Sequence, residues 1–122
     1  MIRLAICALA LCTGLVSTAA ASGPTATAGK ACHLSLTQQR HSGATYLVQL
    51  SVSGVSCSSG LKVEKAFQTC RKSTAGHRTC KKRVLGYKCA QKVLDSSKTQ
   101  YDAKVTCTSG SHKVVFVYTQ NT

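Results

Sequence analysis

The sequence has no tryptophan, two phenylalanines, one proline and three acidic residues in 122 positions. With so few aromatic side chains, the core of a small domain supplies little stability, and covalent cross-links are expected. Paired-carboxylate catalysis is disfavoured, because only three acids are present and Glu64, Asp95 and Asp102 are not neighbours in the sequence. A G-x-S-x-G serine elbow, a P-loop and a dinucleotide fingerprint are also missing. We therefore predict no catalytic residues and no cofactor.

Residues 1–21 have the pattern of a secretory signal peptide. Arg3 precedes an apolar run over residues 4–16, and small residues up to Ala21 offer a cleavage site. The run is shorter than the roughly 20 residues that span a bilayer, which disfavours an uncleaved anchor. We expect a secreted, extracellular protein.

Two segments follow the predicted cleavage site. Residues 22–30 contain the only proline and no periodic pattern, so they are predicted to form a flexible mature N-terminus. Residues 31–122 are predicted to form a single small α+β domain, because about 90 residues suit one compact unit.

Six cysteines remain after the signal peptide: Cys32, Cys57, Cys70, Cys80, Cys89 and Cys107. An even number of cysteines in an oxidising compartment predicts disulfides, each contributing about 2–4 kcal/mol to stability. Their spacing does not match the close pairs of zinc sites, so no metal is expected. The pairing stays open, except that Cys57 and Cys70 are too far apart along a helix to bond to each other.

Alternating apolar residues predict strands at residues 32–36, 45–55, 83–89, 100–108 and 113–119. In the second of these, Tyr46, Val48, Leu50 and Val52 are predicted to share one face. The tetrad TSGS at residues 108–111 predicts a hairpin between the last two strands.

One amphipathic helix is predicted after Cys57. Its buried face is expected to comprise Val63, Ala66, Phe67 and Cys70. Ser58 and Ser59 are suitable N-caps. The predicted fold class is α+β, with one helix packed on a small antiparallel sheet, order β-β-α-β-β-β, and disulfide-stapled.

Three motifs lie in the C-terminal half: SCSSGLKVEKAFQTC, GYKC and VTCTSGSHKVVFVY. In this order, over roughly residues 55–118, they resemble a group of small exported actinobacterial domains of unknown function. Cys57, Cys89 and Cys107 match recurrent cysteines of that group, whereas Gly60 and Leu61 stand where it more often has a small residue such as Ala. The resemblance implies export and a stapled α+β fold, and it implies no activity.

Positive charge is the other strong feature. The chain has a formal net charge of +13, and loss of Arg3 leaves fifteen Lys and Arg against three acids, a net charge of +12. The acid-free segment RKSTAGHRTCKKR spans residues 71–83. Its candidate anion-contact residues are Arg71, Lys72, Arg78, Lys81, Lys82 and Arg83.

A basic segment of this kind attracts polyanions through its long-range field and counterion release. The predicted partners are an anionic cell-wall polymer, a membrane surface or another polyanion. Specific nucleic-acid recognition is not expected, because no aromatic residue lies within the segment to stack on a base. A solvated face that serves only solubility explains the same charges.

Two other functions suit a secreted, basic protein. The loop at residues 71–79, flanked by cysteines, suits a serine-protease inhibitor that offers Arg71 or Arg78 to a trypsin-like pocket, with a secreted protease as partner. A ribonuclease-like enzyme would use two histidines for proton transfer. The candidates are His33, His41, His77 and His112, and no spacing selects two of them.

Overall fold

The computed structural model describes residues 29–122, which contain a five-stranded antiparallel sheet and two helices. The elements are β1 (Lys30–Ala31), α1 (Leu36–Arg40), β2 (Tyr46–Ser53), α2 (Cys57–Lys72), β3 (Lys88–Ser96), β4 (Gln100–Ser109) and β5 (His112–Asn121). The sheet order is β1-β2-β5-β4-β3, and α2 packs on one face. The α+β class is confirmed, while the predicted signal peptide lies outside the described residues.

The segment at residues 32–36, predicted to be a strand, instead leads into α1. The Ser35 hydroxyl accepts a hydrogen bond from the Gln38 amide (3.2 Å), and the Gln38 side chain accepts one from the Ser35 amide (2.9 Å). This capping box starts a helix where alternation suggested a strand. The first strand lies earlier and includes Lys30, which was predicted to belong to the flexible N-terminus.

A β-bulge in β2 changes which side chains are buried. The register against β5 shifts between Leu47 and Gln49. Leu47 is therefore buried together with Leu50, whereas Tyr46 and Val48 are 47% and 51% exposed. The prediction that Tyr46 and Val48 share a face with Leu50 was wrong, because a bulge adds one residue and reverses the alternation before it.

The predicted strand at residues 83–89 is mostly a tight turn. Val84 and Tyr87 form an isolated bridge around Leu85 and Gly86, both of which have positive φ. Strand β3 starts only at Lys88, and its length was not predicted. It is an edge strand with mostly exposed side chains, so its sequence shows little apolar alternation.

The hairpin predicted at residues 108–111 is confirmed. Strands β4 and β5 are joined by Gly110 and Ser111, and Gly110 has a φ of 58°. A two-residue hairpin turn needs positive φ at its first central position, which glycine adopts without steric cost.

Helix α2 covers the sheet through the predicted residues Val63, Phe67 and Cys70, all of which are buried. The Phe67 ring lies edge-on to Phe116 of β5, with 5.5 Å between centroids. Aromatic edge contacts of this kind add to the stability that burial provides. The fourth predicted residue, Ala66, is only partly buried.

The helix begins two or three residues earlier than the predicted N-caps imply. Ser56 is its N-cap, and the Ser56 hydroxyl accepts a hydrogen bond from the Ser59 amide (3.1 Å). Ser58 and Ser59, the predicted caps, lie inside its first turn. A short polar side chain at Ser56 satisfies one of the free amides at the helix start.

All six described cysteines are paired, as Cys32–Cys57, Cys70–Cys80 and Cys89–Cys107. The first disulfide holds the start of α2, the second holds its last turns, and the third joins facing positions of β3 and β4. Such cross-links persist in oxidising compartments.

Neither helix within residues 29–122 has the length and hydrophobicity that a membrane span requires.

A Gly60→Ala substitution is expected to destabilise the protein by about 1–3 kcal/mol, although alanine is the better helix former. A Cβ at Gly60 would lie 2.5 Å from Cγ1 of Val52, a buried side chain of β2. Urea unfolding measures the change, with the exposed Thr69→Ala as the control on the same helix. A gain in stability for Gly60→Ala would show that α2 moves away from β2 at little cost.

Candidate anion-binding site

Arg71, one of the predicted anion contacts, lies inside the protein and is 2% exposed. Its Nε donates to Oε1 of Gln68, Nη1 to the His77 carbonyl (2.8 Å) and Nη2 to Oε1 of Gln120 (2.5 Å). The guanidinium also lies 5.0 Å from the centre of the Tyr118 ring. Arg71 joins the end of α2 to the neighbouring loop and to β5, so this predicted anion-contact residue is buried rather than exposed at the surface.

The burial of Arg71 follows from its position on α2. Glu64, Gln68 and Arg71 are spaced i, i+4 and i+7, so they form a polar stripe on one helix face. All three are buried alongside the apolar stripe that contains Phe67. Apolar periodicity does not detect such a stripe, because it assigns every charged position to the solvent.

The buried charge of Arg71 has no carboxylate partner among the described residues. Its hydrogen-bond acceptors are two amides, one carbonyl and, at 3.4 Å from Nη1, the Tyr101 hydroxyl. A guanidinium has five N–H groups, and these four contacts leave one without a described acceptor. A buried charge whose hydrogen-bond partners are all neutral is costly.

Glu64, one of the described acids, is fully buried, and burial raises the pKa of its carboxyl to about 7. The nearby Gln68 and Ser42 side chains, followed by the charges of Lys65 and Arg71, lower the pKa without offsetting burial. Neither carboxyl oxygen has a hydrogen bond of ordinary geometry with a described residue. Gln68 and Ser42 are therefore polar neighbours of the Glu64 carboxyl, and neither forms a hydrogen bond of ordinary geometry with it.

A cleft of about 290 Å³ opens beside Arg71, between the loop after α2 and the end of β5. Its lining residues are Arg71, Lys72, Gly76, His77, Arg78, Tyr101, Gln120, Asn121 and Thr122. The side chains of the lining include three cations and one histidine and no Asp or Glu. A concave surface of one charge sign concentrates its field and favours anions.

Arg78 is held in place at this cleft. Its guanidinium carbon lies 5.2 Å from the centre of the Tyr101 ring, a cation–π contact. The Arg78 carbonyl accepts a hydrogen bond from the Gln91 side chain (2.7 Å), and the Gln91 side chain in turn accepts one from the Tyr118 hydroxyl (2.7 Å). The loop after α2 is thus fixed to the sheet through both the side chain and the backbone of Arg78.

The other predicted anion contacts are exposed and fall into two groups. Lys72 and Arg78 line the cleft, whereas Lys81, Lys82 and Arg83 follow Cys80 and lie outside the lining. None of the five forms an ion pair with a carboxylate of residues 29–122. We refer to these five residues as the basic cluster.

Several residues of this region were not predicted. Lys62 and Lys65 are exposed on the same face of α2 as Lys72, a spacing that was readable in the sequence. Tyr101 of β4 and Gln120 of β5, which face each other in the β4–β5 pair, also line the cleft. Both lie far from Arg71 along the sequence, and the packing of α2 on the sheet brings them to it.

The inhibitor hypothesis requires an exposed loop that presents a basic side chain. The Cys70–Cys80 disulfide closes the predicted loop. Within it, however, the Thr74 amide donates to the Arg71 carbonyl (3.2 Å) and the His77 amide to the Thr74 carbonyl (2.9 Å), so the chain makes successive turns. The Arg78 side chain folds back on Tyr101, and the loop presents no extended basic segment.

The ribonuclease hypothesis requires two histidines at one site, and neither described cleft contains two. His77 lines the cleft beside Arg71, whereas His33 lines a groove of about 810 Å³ on the other face of the sheet. That larger groove is mainly apolar, with Lys104 as its one lysine. Within residues 29–122, no group of three or more His, Cys, Asp or Glu residues is arranged to hold a metal ion.

Comparisons of the chain with known proteins identify no relative. No family model matches the sequence, and no curated protein or solved structure shows significant similarity to it. The resemblance to exported actinobacterial domains therefore stays a prediction, and the function has to be argued from the site itself.

Proposed function

We propose that the protein is secreted and acts as a binding module for anionic polymers or surfaces. The observation that carries the proposal is the basic cluster, whose five exposed cations have no described carboxylate partner. Three disulfides in a small domain support an oxidising, extracellular environment. The anion would be held by charge and by displacement of counterions rather than by shape.

The Cys70–Cys80 disulfide gives the basic cluster its geometry. It connects the end of α2, which carries Lys72, to the segment that carries Lys81. Holding cations at fixed relative positions lowers the entropy that binding would otherwise cost. A polymer with regularly repeated negative charges is the partner that benefits most from such an arrangement.

Binding of inorganic polyphosphate, followed by fluorescence anisotropy, tests this proposal. We expect the affinity to fall steeply between about 50 and 200 mM salt. The triple variant Lys81→Gln, Lys82→Gln, Arg83→Gln is expected to bind about tenfold more weakly and to show a shallower salt dependence, because fewer counterions are released.

The matched control removes three lysines from the sheet, in the variant Lys88→Gln, Lys92→Gln, Lys113→Gln. It changes the net charge by the same amount and leaves the basic cluster intact. Equal losses in both triple variants would show that only net charge matters, and affinity indifferent to salt would refute the proposed function.

A further inference from the structure

We propose that the cleft beside Arg71 binds a single phosphate group, either an internal phosphodiester of a polymer or a terminal phosphomonoester. The inference rests on the proposed function for the origin of that phosphate. The binding of phosphate itself depends only on the cleft.

The charge of Arg71 has no carboxylate at hydrogen-bond or ion-pair distance among the described residues. The guanidinium is almost fully buried, yet every described acceptor around it is neutral, and one of its N–H groups has no described acceptor. Buried charges in proteins are normally paired with an opposite charge. An anion in the adjoining cleft would supply both the missing charge and the missing acceptor.

The Arg71 guanidinium lies beside two other cations of the cleft. Arg78 lies over the Tyr101 ring, Lys72 completes the cationic lining, and no Asp or Glu side chain lines the cleft. Three positive charges match a phosphate better than a carboxylate, which carries one charge. The Arg78 guanidinium, whose N–H groups have no described acceptor, can donate two parallel hydrogen bonds to phosphate oxygens, and Arg71 can add one more.

The volume of the cleft also suits a small ligand. A cleft of about 290 Å³ lies at the lower limit of the range for small-molecule pockets, roughly 300–1,000 Å³. It has room for a phosphate group and the atoms next to it, and not for a bulky ligand. The charge and the volume of the cleft therefore select the same class of ligand.

NMR titration of the intact, oxidised protein tests the proposal. The probes are inorganic phosphate, glycerol phosphate as a monoester, dimethyl phosphate as a diester, and acetate. We expect saturable shifts of the Arg71 Nε–H signal and of the His77 and Gln120 amides, with weaker binding of acetate. Arg78→Gln is expected to raise the dissociation constant for phosphate about tenfold, the effect of one charge-assisted hydrogen bond.

The matched control is Arg40→Gln, which removes the same side chain from an exposed position of α1, outside both the cleft and the basic cluster. We expect it to leave the phosphate affinity unchanged. Equal weakening by the two variants, shifts spread evenly over the basic cluster, or acetate binding as tightly as phosphate would overturn the proposal. Preference for the monoester assigns the cleft to polymer ends, and equal binding of the diester assigns it to internal phosphates.

This titration separates the two proposals. Phosphate bound at the cleft without any polyphosphate binding would refute the proposed function and leave the cleft assignment standing. Polyphosphate binding without phosphate shifts at Arg71 would overturn the cleft assignment and leave the proposed function standing.

Discussion

At pH 8 the Glu64→Gln variant is expected to be more stable than the wild-type protein by about 2–3 kcal/mol. Burial raises the pKa of Glu64 from 4.5 to about 7, so the native state keeps a proton that the unfolded chain has released. Between these two pH values the native state binds more protons than the unfolded chain, and wild-type stability falls as the pH rises. Glutamine carries no charge, so the variant does not show this loss.

Urea unfolding of both proteins at several pH values between 4 and 8 measures the effect. The difference between the two curves isolates Glu64, since all other titrating groups are shared. Asp95→Asn is the control, because it removes the same charge from an exposed position. A difference curve for Glu64→Gln that is flat across this range would show that the carboxyl has an ordinary pKa.

Replacing Arg71 by methionine is expected to cost about 3–5 kcal/mol, because three acceptors lose their donor at once. These acceptors are the side-chain oxygens of Gln68 and Gln120 and the carbonyl of His77. Methionine keeps much of the aliphatic volume, so the expected loss reflects hydrogen bonds and the contact with the Tyr118 ring rather than a cavity.

The free energy of unfolding in urea gives this cost. Lys72→Met, at the next position, removes the same charge from an exposed side chain and is expected to change stability by less than about 0.5 kcal/mol. Equal stability of the Arg71→Met variant and the wild type would mean that the desolvation of the guanidinium cancels its hydrogen bonds, as it does in some buried ion pairs.

The parts of the fold that were predictable are those in which apolar periodicity decides the structure. The stripe of Val63, Phe67 and Cys70 and the β4–β5 hairpin were predicted from such patterns and are present. The capping box that forms α1 was also readable, since Ser35 is followed three residues later by Gln38. The alternation of Leu34 and Leu36 favoured a strand at the same place, and two conflicting local signals of this kind do not decide the structure by themselves.

Other features depend on tertiary structure and were not predictable. The bulge in β2 is a register shift against β5, which lies far along the chain. Arg71 is a basic residue within a basic segment, and its burial is tolerable because Gln68, Gln120 and the His77 carbonyl accept its hydrogen bonds. Local composition therefore indicated where the positive charge lies, and the fold determined which cation is interior.

The disulfide connectivity has a consequence for how the chain is made. The described cysteines pair first with second, third with fourth and fifth with sixth along the sequence. Both cysteines of each disulfide therefore precede the first cysteine of the next disulfide. A chain that enters an oxidising compartment from its N-terminus and oxidises its thiols in order of arrival would reach the native pairing directly. Slow thiol–disulfide reshuffling, and the isomerase that catalyses it, would then be unnecessary for maturation.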